Sequence, residues 1–542
     1  MPSSPADSDS TEPSAAQPAD VTWGAFSDDA PWVLDQEQLS WRVDLDARRR
    51  EVRAAVPELT RARRLPPGGR VLRVAADLGG SLAFWRLTRP KTDGSASQAK
   101  LSKQLRKSAE RLGPTYIKLG QIISSGQGVF PAELVDEFKK CRDQVPAEPF
   151  TVVRSVVEAE LGRPLHEVFV SFEPAPLAAA SIAQVHRALL RTDDGPIEVV
   201  VKVQRPTVAR YVHRDLAAMA WLAPFLVGRI PVTALANPPA LVEVFAQSIV
   251  EELDFRLEAE NMLDVARSLA ALDQRAYVVP RPHPTLVTEK VLVMQRMHGF
   301  GFEDVDNIRG AGIDLEEIVR TGMIGFLEGA LIHGIFHGDL HGGNLFVQPD
   351  GRTALLDYGI VGRLTEPRRV AFLKLLVAST TNDVRGQVAA IRDLGALPPD
   401  TDIDAVITDL GLDQIPVDPT TLSREQLVDG LNQVVKQMLG YGARMPRELL
   451  LFAKNMVFVD AAISTLTPDL DLFAEVQNIA MWFAKRHGNQ LAADVGLKAD
   501  DFNVDLTAMK GQFGIDPATE SLTYRELQAR REIIQKRLAQ RS

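Results

Sequence analysis

His337-Gly338-Asp339, then Asn344, then Asp357-Tyr358-Gly359 fall in the single segment HGDLHGGNLFVQPDGRTALLDYG. Two aspartates and an asparagine on short loops are hard oxygen ligands of the kind a divalent cation takes. In this order Asp339 can orient a nucleophile, Asn344 can hold one Mg²⁺ and Asp357 can bridge another to nucleotide phosphates. Phosphoryl chemistry is mostly positioning and charge neutralisation, so such groups have to converge. Either triplet alone is ordinary loop chemistry. The two together, in order and at this spacing, make that bland account a poor one.

The local pattern predicts how they meet. Asn344 to Val347 and Arg352 to Leu356 are apolar-rich runs on either side of Pro349-Asp350-Gly351, which reads as a hairpin turned by Asp-Gly. The hairpin would carry Asn344 and Asp357 at its two open ends.

Phosphates also need a cation. Ile197-Glu198-Val199-Val200-Val201-Lys202-Val203 is a β-branched run with one lysine in it and resembles the Val-Ala-Ile-Lys strand of kinases. An edge strand with a solvent-facing lysine is the bland alternative. A helical pattern, Ala246 to Ala266, carries Glu251, Glu252, Asp254, Glu258 and Glu260, any of which can serve a lysine. Glu252 and Glu258 would be offset on one helix and so need not serve the same lysine; the bland alternative is a solvated charged face. A second lysine, Lys118, stands in Gly113-Pro114-Thr115-Tyr116-Ile117-Lys118-Leu119-Gly120-Gln121.

At these residues the chain resembles the UbiB/AarF (ABC1-type) family of atypical kinases. Lys118-Leu119-Gly120-Gln121 is similar to its KxGQ motif, Ala178-Ala179-Ala180-Ser181-Ile182-Ala183-Gln184-Val185-His186 to its alanine-rich loop, and Glu252-Leu253-Asp254 to its ExD motif. The resemblance runs over about residues 100 to 365 in the family's order. It implies that Lys202 is the nucleotide lysine and Glu258 its helix partner. Asp339 would be the catalytic-loop aspartate, with Asn344 and Asp357 as metal ligands. It further implies that Lys118 and Gln121 belong to a helical extension folded over the site, with Lys118 reaching Glu252. Ala178, Ala179, Ala180 and Ser181 would line the phosphates, and Met297, at the end of the hinge Val293-Met294-Gln295-Arg296-Met297, the nucleotide. The implied cofactors are ATP and Mg²⁺. Two departures stand out: Ser124 to Pro131 lacks the arginine and aspartate expected after KxGQ, and Gln295 stands where the family hinge usually has glutamate.

After Asp357-Tyr358-Gly359 the chain enters an apolar helical pattern, Val370 to Ala378, without a long activation segment or Ala-Pro-Glu. That segment is the peptide platform of protein kinases, so a protein substrate is disfavoured.

At 542 residues the chain is too long for one core, and 45% apolar with 24% charged residues is a globular composition. The single Cys141 makes no internal disulfide and fits a reducing cytoplasm. Residues 1–35 are rich in Ser, Pro, Ala and Asp and read as a disordered tail without the apolar core of a signal peptide. No uninterrupted apolar run reaches spanning length; Leu216 to Val232, broken by Pro224, Gly228 and Arg229, reads as a core or surface helix. Where family members often end in two membrane helices, Tyr524 to Ser542 is a charged helical pattern.

The net charge of −10 makes nucleic acid an unexpected partner, yet the stretch from Arg42 to Arg111 is dense in arginine. Its amphipathic run Val71 to Leu87 can lie on anionic lipid or pack on the neighbouring lobe, and both readings stand. The last third, with helical patterns at Glu425 to Leu439 and Pro446 to Leu466, shows no recognisable chemistry and is expected to extend a helical lobe.

The expected fold is therefore α+β, a protein-kinase-like two-lobe fold with helical extensions at both ends. Its expected units are a basic helical extension at 36–145, an N-lobe at 146–300, a C-lobe at 301–400 and a C-terminal helical extension at 401–542. The expected activity is Mg²⁺-dependent ATP hydrolysis or phosphoryl transfer, and the resemblance implies isoprenoid lipid or quinone metabolism. The alternatives are an aminoglycoside- or choline-type small-molecule phosphotransferase and a nucleotide-binding pseudokinase switch.

Overall fold

Gly113, at a φ of +105°, closes one helix, and Pro114 opens the next, as glycine past a helix end and proline at a first turn should. The computed structural model describes residues 39–539 apart from 62–64, 89–93, 126–131, 141–145, 227–237, 382, 413–436, 439, 444–445, 497–518 and 520. The expected tail 1–35, Cys141, the loop Gly126 to Pro131, the end of the Leu216 to Val232 pattern and nearly all of Glu425 to Leu439 lie outside the described residues.

The first helices are α1 (Leu45–Leu59), α2 (Gly69–Thr88), α3 (Gly94–Leu112), α4 (Pro114–Ser125) and α5 (Ala132–Phe138). They share an apolar core in which Val74, Leu101, Tyr116, Ile117 and Val135 are buried. Several arginines of this stretch are ion-paired, some of them at the surface. Arg42 pairs with Glu260, Arg53 with Glu251, Arg70 with Asp215 and Arg111 with Asp77.

Next come α6 (Phe150–Leu161), α7 (Leu165–Val168), β1 (Phe169–Phe172), β2 (Ala178–Ala179), β3 (Ala183–Leu190) and β4 (Ile197–Gln204). They are followed by α8 (Val208–Leu226), α9 (Pro238–Glu251), α10 (Phe255–Ala271), β5 (Tyr277–Val278), β6 (Pro282–Val287) and β7 (Val291–Gln295). The main sheet has the order β1-β3-β4-β7-β6, with β2 on β3. Val199, Val201 and Val203 of β4 all bury toward Val153 and Val157 of α6, so alternation sends Lys202 to the opposite face, where α10 lies.

The carboxylate-rich segment is not one helix. α9 ends at Glu251 and α10 starts at Phe255, which corrects the expectation that Glu252 and Glu258 sit on a single helix. The cause is local: Asp254 caps α10 by accepting from Arg256 N at 3.1 Å, and Gln204 Nε2 donates to Leu253 O at 2.8 Å. α10 is buried nearly all round and forms the spine of the largest core.

The second lobe contains β8 (Phe300–Gly301), α11 (Val305–Gly310), α12 (Leu315–Glu328), β9 (Ile335–His337), β10 (Leu345–Val347), β11 (Thr353–Leu355) and β12 (Val361–Arg363). β10 and β11 pair antiparallel, Leu345 opposite Leu355, around a turn with Gly351 at a φ of +85°, which is the expected hairpin. β12 pairs with β9, with Val361 opposite His337. Then follow α13 (Glu366–Thr380), α14 (Val384–Asp393), α15 (Ile403–Leu410), α16 (Arg447–Leu466), α17 (Leu472–Val495) and α18 (Tyr524–Ala539).

Among the described residues α16 is the one helix long and apolar enough to cross a membrane by length and composition. It also supplies Leu451, Ala462, Ile463 and Leu466 to the largest core. The fold is the expected α+β, kinase-like arrangement with helical extensions.

Candidate active site

Lys202 is fixed first by its strand. Its row across the sheet runs Ala178, Val185, Lys202, Leu292, so Ala178 and Lys202 stand on the same face. Lys202 Nζ lies 2.7 and 3.0 Å from the two oxygens of Glu258, in the first turn of α10, and 3.4 Å from Asp357 Oδ2. Burial opposes its charge, but Asp357 and Glu258 outweigh burial and raise its pKa. Burial also works to protonate Glu258 while Lys202 works to ionise it, and the bidentate contact has the geometry of an ion pair.

Lys118 approaches from the extension. Its Nζ lies 3.2 Å from Glu252 Oε1. Burial works against its charge, and Glu252, Asp339 and Asp357 together raise its pKa in spite of that. Gly120, two residues on, has to be glycine because a Cβ there would overlap the ring of Phe138 on α5. Gln121 lines, with Lys118, Asp339, His341 and Lys454, a cleft of about 580 Å³.

The loops carrying Asp339 and Asp357 are tied together by His337. Its Nδ1 accepts from Asp339 N at 3.1 Å, so Nε2 carries the proton donated to Asp357 O. Gly359 N donates to Asp357 Oδ1 at 2.9 Å, and Asn344 Nδ2 to Asp339 O at 3.2 Å. Burial raises the Asp357 carboxyl, but Lys202 and Lys118 bring it down to about 2. Asp339 is likewise held well below the usual range against burial, by Lys454, Lys118 and His341.

The alanine-rich stretch is a tight hairpin. Ala180 N donates to Ala183 O at 2.8 Å, Arg205 Nε donates to Ala180 O at 3.1 Å, and Ser181 is buried in the turn. Ala178 and Ala180 are exposed above the cleft face. Met297 is only 8% exposed and packs with Val278 and Ala354, in the apolar layer beneath the loops.

The last third was expected to lack chemistry, and α16 corrects that. Lys454 pairs with Asp339, and the fully buried Asn455 accepts from Leu340 N at 3.1 Å and donates to His337 O. The available signal was the Lys-Asn pair inside the otherwise apolar run Leu449 to Val459.

Carboxylates of Glu252, Glu258, Asp339 and Asp357 thus face Lys118, Lys202 and Lys454, an excess of negative charge that a divalent cation would offset. Among the described residues no three His, Cys, Asp or Glu converge as a metal cage. That donor set would fit a Mg²⁺ that keeps waters and shares phosphate oxygens, with Asp357 and Asn344 as the candidate ligands.

A profile of the ABC1 atypical kinase-like domain matches residues 140–391. An uncharacterized protein of Mycobacterium tuberculosis is 36% identical over 386 residues, which cover 70% of this chain and 78% of that protein. An uncharacterized aarF domain-containing protein kinase of Arabidopsis thaliana chloroplasts is 33% identical over 412 residues, covering 70% and 75%. A solved Mycobacterium tuberculosis protein in complex with erythromycin is 22% identical, covers 73% of this chain and 93% of its own, and superposes with a TM-score of 0.38.

Proposed function

Since the chain belongs to the ABC1 (aarF-type) atypical kinase family, we propose that it binds ATP with Mg²⁺ between the main sheet and the loops of Asp339 and Asp357. It hydrolyses the nucleotide or passes its γ-phosphoryl group to a small molecule. The observation that carries this reading is the contact of one lysine, Lys202, with both Glu258 at 2.7 Å and Asp357 at 3.4 Å. That arrangement aims a cation at the phosphates and a carboxylate at their metal.

In this reading Lys202 holds the α and β phosphates, and Ala178, Ala179, Ala180 and Ser181 cover them. Asp357 and Asn344 hold Mg²⁺, whose charge neutralises the transferring group. Asp339 accepts the proton of the attacking hydroxyl or water. Met297 supports the nucleotide from below. Lys118, Gln121 and Glu252 close the site from the extension side.

A small acceptor is favoured over a protein. Only Ile360 to Thr365 separates Gly359 from α13, too short for a peptide platform, and α4 stands beside the catalytic loop. Isoprenoid lipid or quinone metabolism is the setting proposed on family grounds. For an anionic membrane partner the support is the exposure of Leu72, Phe84 and Leu87 on α2.

The test is the thermal shift of purified protein with Mg-ATP, compared with Asp357→Asn. The parent should gain several degrees that depend on Mg²⁺, and the variant should gain almost none. A shift unchanged by the substitution removes Asp357 from the site. A shift without turnover in the parent would favour the pseudokinase alternative.

A further inference from the structure

Phosphoryl transfer spreads negative charge over the three equatorial oxygens of the moving group, and cations must meet it there. The catalytic loop has none to offer: from Gly334 to Gly351 there is no lysine or arginine. Lys202 is held by both oxygens of Glu258, and Lys118 is held by Glu252. The third lysine, Lys454, comes from α16, and its partner is Asp339 itself.

That pairing puts a cation beside the group expected to act as the base. In the transfer step the acceptor oxygen bonds to the γ-phosphorus while the bond to the bridging oxygen breaks. ADP leaves with that electron pair, and the acceptor's proton goes to Asp339. Lys454 pairs with Oδ1 of Asp339 alone, so Oδ2 can accept the acceptor's hydroxyl, and as negative charge builds on the moving group the ammonium beside it can turn from Asp339 toward that charge.

The geometry supplies both the place it goes and a fixed hinge. Lys454 is 16% exposed and opens on the cleft of about 580 Å³ that Asp339, Lys118, Gln121 and His341 also line. Its backbone cannot follow, because the next residue, Asn455, is fully buried and bonded to both His337 O and Leu340 N. A long side chain on a fixed base can swing between two anions a few ångströms apart.

We propose that Lys454 is a catalytic lysine supplied in cis by the C-terminal extension: it rests on Asp339 and transfers to the γ-phosphoryl oxygens of the bound nucleotide during turnover. This rests on the phosphotransferase reading above. It adds a residue from outside the stretch matched to the kinase-like domain, which ends at 391.

The experiment compares the full-length parent with Lys454→Met and Lys454→Arg, measuring kcat and KM for ATP and, separately, the affinity for a fluorescent ATP analogue with Mg²⁺. Lys454→Met should lose at least about 100-fold in kcat, with nucleotide affinity within about threefold of the parent. Lys454→Arg should recover a substantial part of kcat. A Lys454→Met kcat within threefold of the parent overturns the proposal, and so does a loss in which affinity falls as far as kcat. Should Lys454→Met unfold, the decision passes to Lys454→Arg and Lys454→Gln, and equal kcat in those two overturns it. A parent that binds nucleotide without turning it over defeats the phosphotransferase reading itself, an outcome visible before any variant is made.

Discussion

Lys118 Nζ and Glu252 Oε1 meet at 3.2 Å and join α4 of the extension to the turn between α9 and α10. Their side chains are 16% and 11% exposed, so each would be stranded in a poorly hydrated place without the other. In a double-mutant cycle on Lys118→Ala and Glu252→Ala, followed by ATP turnover and by proteolysis around Gln121, the two changes should couple by about 1–3 kcal/mol. Additivity within about 0.3 kcal/mol would mean that the two residues act separately.

Gly120→Ala should destabilise the protein by about 1–3 kcal/mol, because the buried ring of Phe138 has to move away from the new methyl group. Gly79→Ala is the matched control within α2, where a Cβ meets nothing within 4 Å. There the gain in helix propensity should leave stability unchanged or raise it by about 0.5–1 kcal/mol. Denaturant midpoints for the two variants give the comparison, and equal midpoints would contradict it. Since Gly120 sets how closely α4, which carries Lys118 and Gln121, packs on α5, its substitution should lower turnover where Gly79→Ala does not.

His283 should make stability depend on acid pH. Its Nδ1 accepts from Thr285 N and Leu286 N, both at 3.2 Å, and burial lowers its pKa to about 4. The imidazole is therefore neutral in the folded protein at pH values where the unfolded chain, near 6.5, has already taken up a proton. This stabilisation is complete above about pH 6.5 and is lost as pH falls toward 4, amounting to about 3 kcal/mol. The difference in unfolding free energy between the parent and His283→Asn should shrink over that window. A pH-independent difference would show that His283 does not titrate this way.

The loops at Asp339 and Asp357 were legible because their geometry is made locally. Asp350-Gly351 turns the hairpin, and a period-two strand sends Lys202 away from Val201 and Val203. The structure brings Lys118, Glu252, Lys202, Glu258, Asp339 and Asp357 into one cluster, which the order of the motifs anticipated. The break at Glu252 was hidden, because apolar spacing continues across it while Asp254 competes for the backbone as a cap. Lys454 was hidden for a different reason. A lone lysine on an apolar helix names no partner, and its partner lies 115 positions away in the chain. The packing of Met297 on Val278 and Ala354 was hidden too, because those partners come from β5 and β11, far from it in the chain.

Asn455 gives the catalytic loop an outside guarantor. The stretch matched to the kinase-like domain ends at 391, while the only side chain described as bonding both His337 O and Leu340 N belongs to α16. A shortened chain ending there would keep every residue of the signature and lose the amide that holds two of its buried backbone groups. Signature and scaffold are thus separable in sequence but not in stability. Transplanting the matched stretch onto another protein would move the catalytic loop without the part that keeps it in shape.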